Sequence, residues 1–127
     1  MLKVKDIMKK VVSTEKDISI KEAAKIMSKM QIGSIIIVKG NDIVGILTER
    51  DVIKNISNLN KKVTHVAKKS VISIDLNRSL DDAAHAMAKN KIKRLCVTEK
   101  EKLVGIITAT DIIANADVLN ESSFFEL

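Results

Sequence analysis

The sequence has no tryptophan, no tyrosine and no proline in 127 residues, where ordinary usage would supply about six prolines. Its two aromatic side chains are adjacent, Phe124 and Phe125. Platforms for stacking single-stranded bases are therefore nearly missing, which argues against that mode of nucleic-acid binding. Cys96 is the single cysteine, so an intrachain disulfide and a cysteine-rich zinc site are both excluded. Set in the apolar run Leu95-Cys96-Val97, it reads as a small buried hydrophobe rather than a reactive thiol. No apolar run approaches the roughly 18 residues of a membrane-spanning helix. The start, Met1-Leu2-Lys3-Val4-Lys5-Asp6, carries charge too early for a signal-peptide core. These absences predict a cytoplasmic protein.

Hydrophobic residues make up 46% of the chain and charged residues 30%, the balance of a globular protein rather than a disordered one. A chain of this length buries roughly two-thirds of its unfolded surface, enough for a core. The net charge is +6, from 22 Lys+Arg against 16 Asp+Glu. That excess favours anionic ligands, nucleic acid or an acidic partner without choosing among them.

One unit is written twice. Shifting the sequence by 60 lays Ser19–Ile53 over Ser79–Ile113 without a gap, and 12 of the 35 aligned positions are identical. Among them are Ser19/Ser79, Ala23/Ala83, Met27/Met87, Val44/Val104, Gly45/Gly105, Thr48/Thr108 and Asp51/Asp111. Each copy opens on an apolar stretch, Val11-Val12 or Val71-Ile72. Ser19 then precedes Glu22 by three residues, and Ser79 precedes Asp82 likewise, which predicts a capping box at a helix start. Apolar residues at helical spacing follow, Ile20, Ala23, Ala24 and Met27 in one copy and Leu80, Ala83, Ala84 and Met87 in the other. Two Ile/Val-rich strands come next in each copy: Ser34–Val38 with Ile43–Leu47, and Leu95–Thr98 with Leu103–Ile107. Their unbroken apolar character predicts cover on both faces. A second helix starts near Asp51 or Asp111. The unit is thus β-α-β-β-α. A repeat of about 60 residues is marginal alone, so two are expected to share a core along their covered sheets. The predicted division is repeat 1 over 1–60, repeat 2 over 61–119 and a tail over 120–127.

Each copy runs from strand into helix through the same short motif, Gly45-Ile46-Leu47-Thr48-Glu49-Arg50-Asp51 and Gly105-Ile106-Ile107-Thr108-Ala109-Thr110-Asp111. At a helix start the first amides point outward unpaired, and the dipole favours an anion. A hydroxyl there can donate to a phosphate or ribose oxygen, and a carboxylate can accept from two ribose hydroxyls. Thr-x-x-Asp is also a capping-box pattern. Spacing fits both roles, and one does not exclude the other.

The duplicated unit with its Gly-h-h-Thr-x-x-Asp motif (h, hydrophobic) resembles the cystathionine β-synthase (CBS) repeat. Lys91-Ile92-Lys93-Arg94-Leu95-Cys96-Val97 is similar to the family's entry to its second strand, and Val4-Lys5-Asp6-Ile7-Met8 to its lead-in. The resemblance runs from Val4 to about Asn115. It implies an α/β (α+β) fold, a tandem pair or Bateman module, with the two repeats packed in pseudo-twofold symmetry, here of the stand-alone prokaryotic or archaeal type. It also implies two clefts for an adenosyl ligand (AMP, ADP, ATP or S-adenosylmethionine), no obligatory cofactor, a homodimer of pairs and a separate effector protein. Since the repeats consume the chain, no fused effector is expected.

By the same resemblance Asp51 and Asp111 hold ribose, with Thr48 and Thr108 beside them, and Val12 and Ile72 line the adenine slot. Arg94 and its counterpart Ser34 begin the second strand at ligand-touching positions. Arg94 with Lys93 makes a phosphate clamp that Gly33-Ser34 lacks, so unequal clefts are expected. Arg50 and Thr110 precede the aspartates; Arg50 either reaches a phosphate or is a solvated first-turn side chain. The chain departs from the family in lacking prolines near Glu15-Lys16 and Cys96. Lys9-Lys10 and Lys68-Lys69 precede the opening strands and read as solvated pairs, or as cations beside a phosphate. His65 and His85 have no partners at metal-ligand spacing. With no nucleophile–base set, metal set or phosphate-binding loop, an enzyme is not expected. The alternative is a ligand-free interaction module, with nucleic acid as its partner by virtue of the charge; Phe124-Phe125 would then be a docking element or a frayed end.

Overall fold

The computed structural model describes residues 2–115. The Phe124-Phe125 expectation and the 120–127 tail lie outside them. The elements, in order, are α1 Val4–Ile7, β1 Ser13–Thr14, α2 Ile20–Met30, β2 Ser34–Lys39, β3 Asp42–Thr48 and α3 Glu49–Lys54. A 3-10 turn at Val63–His65 follows, then β4 Ser73–Asp75, α4 Leu80–Asn90, β5 Arg94–Glu99, β6 Lys102–Thr108 and α5 Ala109–Ala114. The mixed α/β class and the duplicated β-α-β-β-α unit are thus as the sequence predicts. The opening strands fall one or two residues after Val11-Val12 and Val71-Ile72. The carbonyls of Val12 and Ile72 nonetheless accept from the amides of Ile36 (2.9 Å) and Cys96 (3.2 Å).

Two three-stranded sheets form, ordered β1-β2-β3 and β4-β5-β6. In each, the outer pair with the opening strand is parallel and the hairpin pair antiparallel. The central strands are buried over three consecutive residues, Ile35-Ile36-Ile37 and Leu95-Cys96-Val97, so their continuous apolar runs do report cover on both faces. β3 and β6 correct that expectation. As sheet edges they bury alternate positions, Gly45 and Leu47 in one and Gly105 and Ile107 in the other. Both hairpins carry a register shift after the central strand's third buried residue, which leaves Val44 and Val104 as the extra residues of matching β-bulges.

The helices form where the pattern predicts, but their caps differ. Ser19 Oγ accepts from the Glu22 amide at 3.1 Å, and Ser79 Oγ from the Asp82 amide at 3.0 Å. The returning half of the box is absent from both. Glu22 takes the Ser19 hydroxyl instead (3.3 Å), and Asp82 is drawn to Arg78 Nε (2.9 Å), a charged partner that outcompetes a backbone amide.

The described residues divide into two compact units, 11–71 and 2–10 together with 72–115. The lead-in 2–10 therefore belongs with the second sheet, and 62–71 with the first. In the second-sheet unit Val4 is fully buried among Leu76, Leu80, Met87, Leu95 and Ile107. Its amide donates to the Arg78 carbonyl at 2.8 Å. In the first-sheet unit Val63 holds the matching place among Ala23, Ile35 and Leu47. Its amide donates to Ile18 (2.9 Å), while the neighbouring Thr64 hydroxyl binds Asp17 at 2.8 Å.

The hairpins turn through two residues each. In the first, Gly40 takes φ +62°; in the second, Lys100 and Glu101 take φ +49° and +68°. Side chains resist this left-handed region, where Asn-Gly is the preferred pair. Replacing Lys100-Glu101 by Asn-Gly is expected to raise stability by about 1 kcal/mol. A higher urea midpoint at unchanged slope would show it; a midpoint equal to or below that of the parent would refute it.

Candidate functional site

Each compact unit contains one complete set of the candidate residues. In unit 11–71, Ser34 is the cross-strand partner of Thr48, and the Gly33 carbonyl accepts from the Glu49 amide at 3.1 Å. In the other unit Arg94 pairs with Thr108, and the Lys93 carbonyl accepts from the Ala109 amide at 2.8 Å. Val12 and Ile72 reach the same neighbourhoods through the hydrogen bonds of their carbonyls to the central strands. Hairpin geometry therefore brings the second-strand entry beside the Thr-x-x-Asp turn in both units.

The turns themselves are full capping boxes. The Thr48 amide donates to Asp51 Oδ2 at 2.9 Å, and the Asp51 amide returns to Thr48 Oγ1 at 3.4 Å. The Thr108 amide donates to Asp111 Oδ2 at 2.9 Å, and the Asp111 amide to Thr108 Oγ1 at 3.1 Å. This corrects the expectation of unpaired amides at the helix starts. With the Glu49 and Ala109 amides also taken, little is left there for an anion. Moreover, α3 and α5 have only 6 residues each, because Asn55 and Asn115 close them by donating to the Asp51 and Asp111 carbonyls (2.8 and 2.7 Å).

The two carboxylates are buried, Asp51 at 6% and Asp111 at 5% exposure, an unusual setting for an acidic residue. Their outer oxygens differ. Asp51 Oδ2 also takes the Thr48 hydroxyl (3.0 Å), while Oδ1 accepts no hydrogen bond from a described residue. Asp111 Oδ1 instead holds the Lys9 ammonium at 2.9 Å. Burial pushes the Asp111 carboxyl upward, but the Lys9 ammonium and the Thr108 amide and hydroxyl outweigh it, so its pKa lies below the ordinary Asp value.

Lys9 is the residue whose place the sequence conceals. It stands in the first repeat's lead-in, yet belongs to the unit of the second sheet. Its amide donates to the Ile106 carbonyl (2.8 Å), and the Ile106 amide donates back (3.0 Å). Lys68 makes the same double bond with Ile46 (3.0 and 2.9 Å). Among the described residues Lys68 forms no ion pair with Asp51. The duplication of the lysine pairs at an offset of 59 was the one available signal. Arg50 and Thr110 are exposed on the first turns of α3 and α5, and His65 and His85 are exposed as well. Burial pushes the Cys96 thiol up to about 11, so it is inert at neutral pH.

A groove of about 510 Å³ lies between α2 and α3, lined by residues that include Met27, Gln31, Glu49, Val52 and Ile53. None of the candidate residues lines it. No cluster of three or more potential metal ligands occurs among the described residues, and none of their helices is long and apolar enough to cross a membrane.

Comparison with known proteins identifies the family. The family model for the CBS domain matches twice, over residues 4–58 and 63–117. The CBS domain-containing protein YhcV of Bacillus subtilis is 33% identical over 128 residues, covering 97% of this chain and 91% of that protein. The uncharacterized protein MJ1232 of Methanocaldococcus jannaschii is 34% identical over 114 residues, 88% of this chain; the match spans only 38% of that longer protein. Among solved structures, the CBS domain pair of protein MJ0100 is 31% identical, with a TM-score of 0.85 over 94% of this chain and 98% of that one. That pair is in complex with 5′-methylthioadenosine and S-adenosyl-L-methionine. With both halves matched by the family model and the fold shared along nearly its whole length, the chain belongs to the CBS domain family as a tandem pair.

Proposed function

We propose that this chain is a regulatory module, not an enzyme, that binds an adenosyl ligand in each unit and acts in the cytoplasm on a separate protein. The observation that carries this reading is the buried aspartate, built twice where a hairpin leads into a short helix. Burying a carboxylate is costly unless its oxygens are partnered, and each unit keeps an oxygen beyond those its cap consumes. Asp51 Oδ1 is one, and Asp111 Oδ1, held by a displaceable ammonium, is the other. Such an oxygen suits a ribose hydroxyl. The adenosyl complexes of the MJ0100 pair support the ligand class for this relative.

On this reading Asp51 and Asp111 accept from ribose, Val12 and Ile72 border the adenine, and Lys93 with Arg94 meets a phosphate that Gly33 and Ser34 would not hold. Arg50 and Thr110 flank the aspartates from the helix side. Thr48 and Thr108 serve first as caps, and offer a ligand only what remains of their hydroxyls. On the same reading two such pairs associate as a homodimer.

Titration calorimetry with AMP, ADP, ATP, S-adenosylmethionine and 5′-methylthioadenosine tests the assignment. At least one should bind, and Asp51→Ala or Asp111→Ala should each weaken its own site by about 10- to 100-fold, the effect of losing a charge-assisted acceptor. Binding of none of the five, or binding indifferent to both substitutions, would remove the reading.

A further inference from the structure

We propose that Lys9 is a specificity-determining residue that tunes the Asp111 site toward ligands bearing a phosphate, while the Asp51 site lacks this bias. The inference rests on the adenosyl-binding reading above.

Three cations converge by backbone pairing on the Thr108–Asp111 turn. Arg94 faces Thr108 across the hairpin, Lys93 accepts from the Ala109 amide, and Lys9 is clamped to Ile106 by two hydrogen bonds. The matching positions around Thr48–Asp51 are Ser34, Gly33 and Lys68, a single cation, to which Arg50 on the first turn of α3 adds a second where the other unit has Thr110. The ammonium of Lys9 also does something no other described lysine does. Although its side chain is 72% exposed, it sits 2.9 Å from the outer oxygen of a carboxylate that is 5% exposed. A ribose hydroxyl approaching Asp111 Oδ1 must therefore share that oxygen with Lys9 or displace it.

The consequence depends on the ligand's charge. A displaced ammonium, its backbone still pinned at Ile106, stays within a lysine stem's reach of the turn. A nucleoside monophosphate offers it a partner of higher charge, with about two negative charges and three acceptor oxygens against the one charge of the carboxylate, so the exchange favours binding. A neutral adenosyl thioether offers none, and the lost ion pair counts against it. A sulfonium ligand adds repulsion. The Asp51 carboxylate presents no such competitor, so the two sites should rank the same ligands differently.

The test is calorimetry on the full chain carrying Asp51→Ala, so that only the Asp111 site is read, with AMP and 5′-methylthioadenosine as probes. Adding Lys9→Met should weaken AMP about tenfold, the loss of one charge-assisted contact at a partly exposed site. The same change should leave 5′-methylthioadenosine unchanged or tighter, since Asp111 loses its competitor. Lys9→Arg, which keeps the charge, should retain AMP binding, and Lys68→Met should leave both probes within about twofold. Equal weakening of both probes by Lys9→Met, or no change in either, would overturn the proposal while leaving adenosyl binding intact. Absence of binding before Lys9 is touched, in the Asp51→Ala chain and in the parent alike, would overturn both.

Discussion

Val4→Asp is expected to abolish cooperative folding of the unit that contains the second sheet, although residue 4 lies at the other end of the chain from that sheet. Val4 is fully buried and surrounded by Leu76, Leu80, Met87, Leu95, Val97 and Ile107, none of which can pair with a carboxylate. Burying the aspartate there costs about 4 kcal/mol or more, a large part of a domain's total stability of roughly 5–15 kcal/mol. Val4→Ala removes only two methyl groups and should cost about 2 kcal/mol. Exposed sites supply the control. Ile53 is 69% exposed, and Ile53→Asp should shift stability by no more than about 0.5 kcal/mol. Urea unfolding followed by far-ultraviolet circular dichroism separates these cases. A Val4→Asp chain as stable as the Ile53→Asp chain would mean that the lead-in is not part of this core.

That contrast marks the boundary of what the sequence discloses. Helices α2 and α4, the hairpins and their order were legible because each is written locally, in the spacing of Ile20, Ala23 and Met27 or in the run Ile35-Ile36-Ile37. The duplication made each inference twice. Val4 carries no such signal. It is one valine at the start of a four-residue helix, and its partners Leu76 and Leu80 lie far along the chain. The 59-residue offset of Lys9-Lys10 to Lys68-Lys69, one short of the main repeat, was visible in the sequence. It could not say that each lead-in crosses to the other sheet.

The site divides along the same line. Asp51 and Asp111 stood out as a recurring pair whose spacing admitted both a cap and an acceptor, and the fold shows the cap in both. Their burial shows why the distinction was unreadable: the cap uses Oδ2 in both units, and the fate of Oδ1 depends on residues outside the motif. Edge coverage failed for a similar reason. Val44 and Val104 look like strand core by composition, but a bulge in each hairpin sets them outside the alternation. The half-formed boxes at Ser19 and Ser79 were lost to local competition from the Ser19 hydroxyl and from Arg78, which position alone does not reveal.

Gly105→Ala should be markedly more damaging than Gly45→Ala, although the two glycines are the same letter of the same motif. Neither has a left-handed φ, so conformational freedom does not explain them; a close approach does. A Cβ on Gly105 would stand 2.8 Å from Met8 Sδ, 3.2 Å from Met8 Cγ and 3.0 Å from the Lys9 carbonyl oxygen. The Met8 thioether can turn away, but the Lys9 carbonyl is held by the Ile106 amide at 3.0 Å. The lead-in must move as a whole. On Gly45 the corresponding contacts are Ala67 Cβ at 3.2 Å and the Lys68 carbonyl at 3.3 Å, which a few tenths of an ångström would relieve. Overpacking of the first kind costs about 1–3 kcal/mol, and that of the second should stay under about 1 kcal/mol. Displacing the lead-in also withdraws Lys9 from Asp111, so the Gly105→Ala chain should lose the 2.9 Å ion pair along with stability. Coupling identifies the cause. Met8→Ala gives the second-sheet unit the alanine that Ala67 already supplies opposite Gly45, so Met8→Ala and Gly105→Ala together should cost less than the sum of the separate losses. Equal losses for the two glycine substitutions, or strict additivity with Met8→Ala, would show that the lead-in does not bear on Gly105.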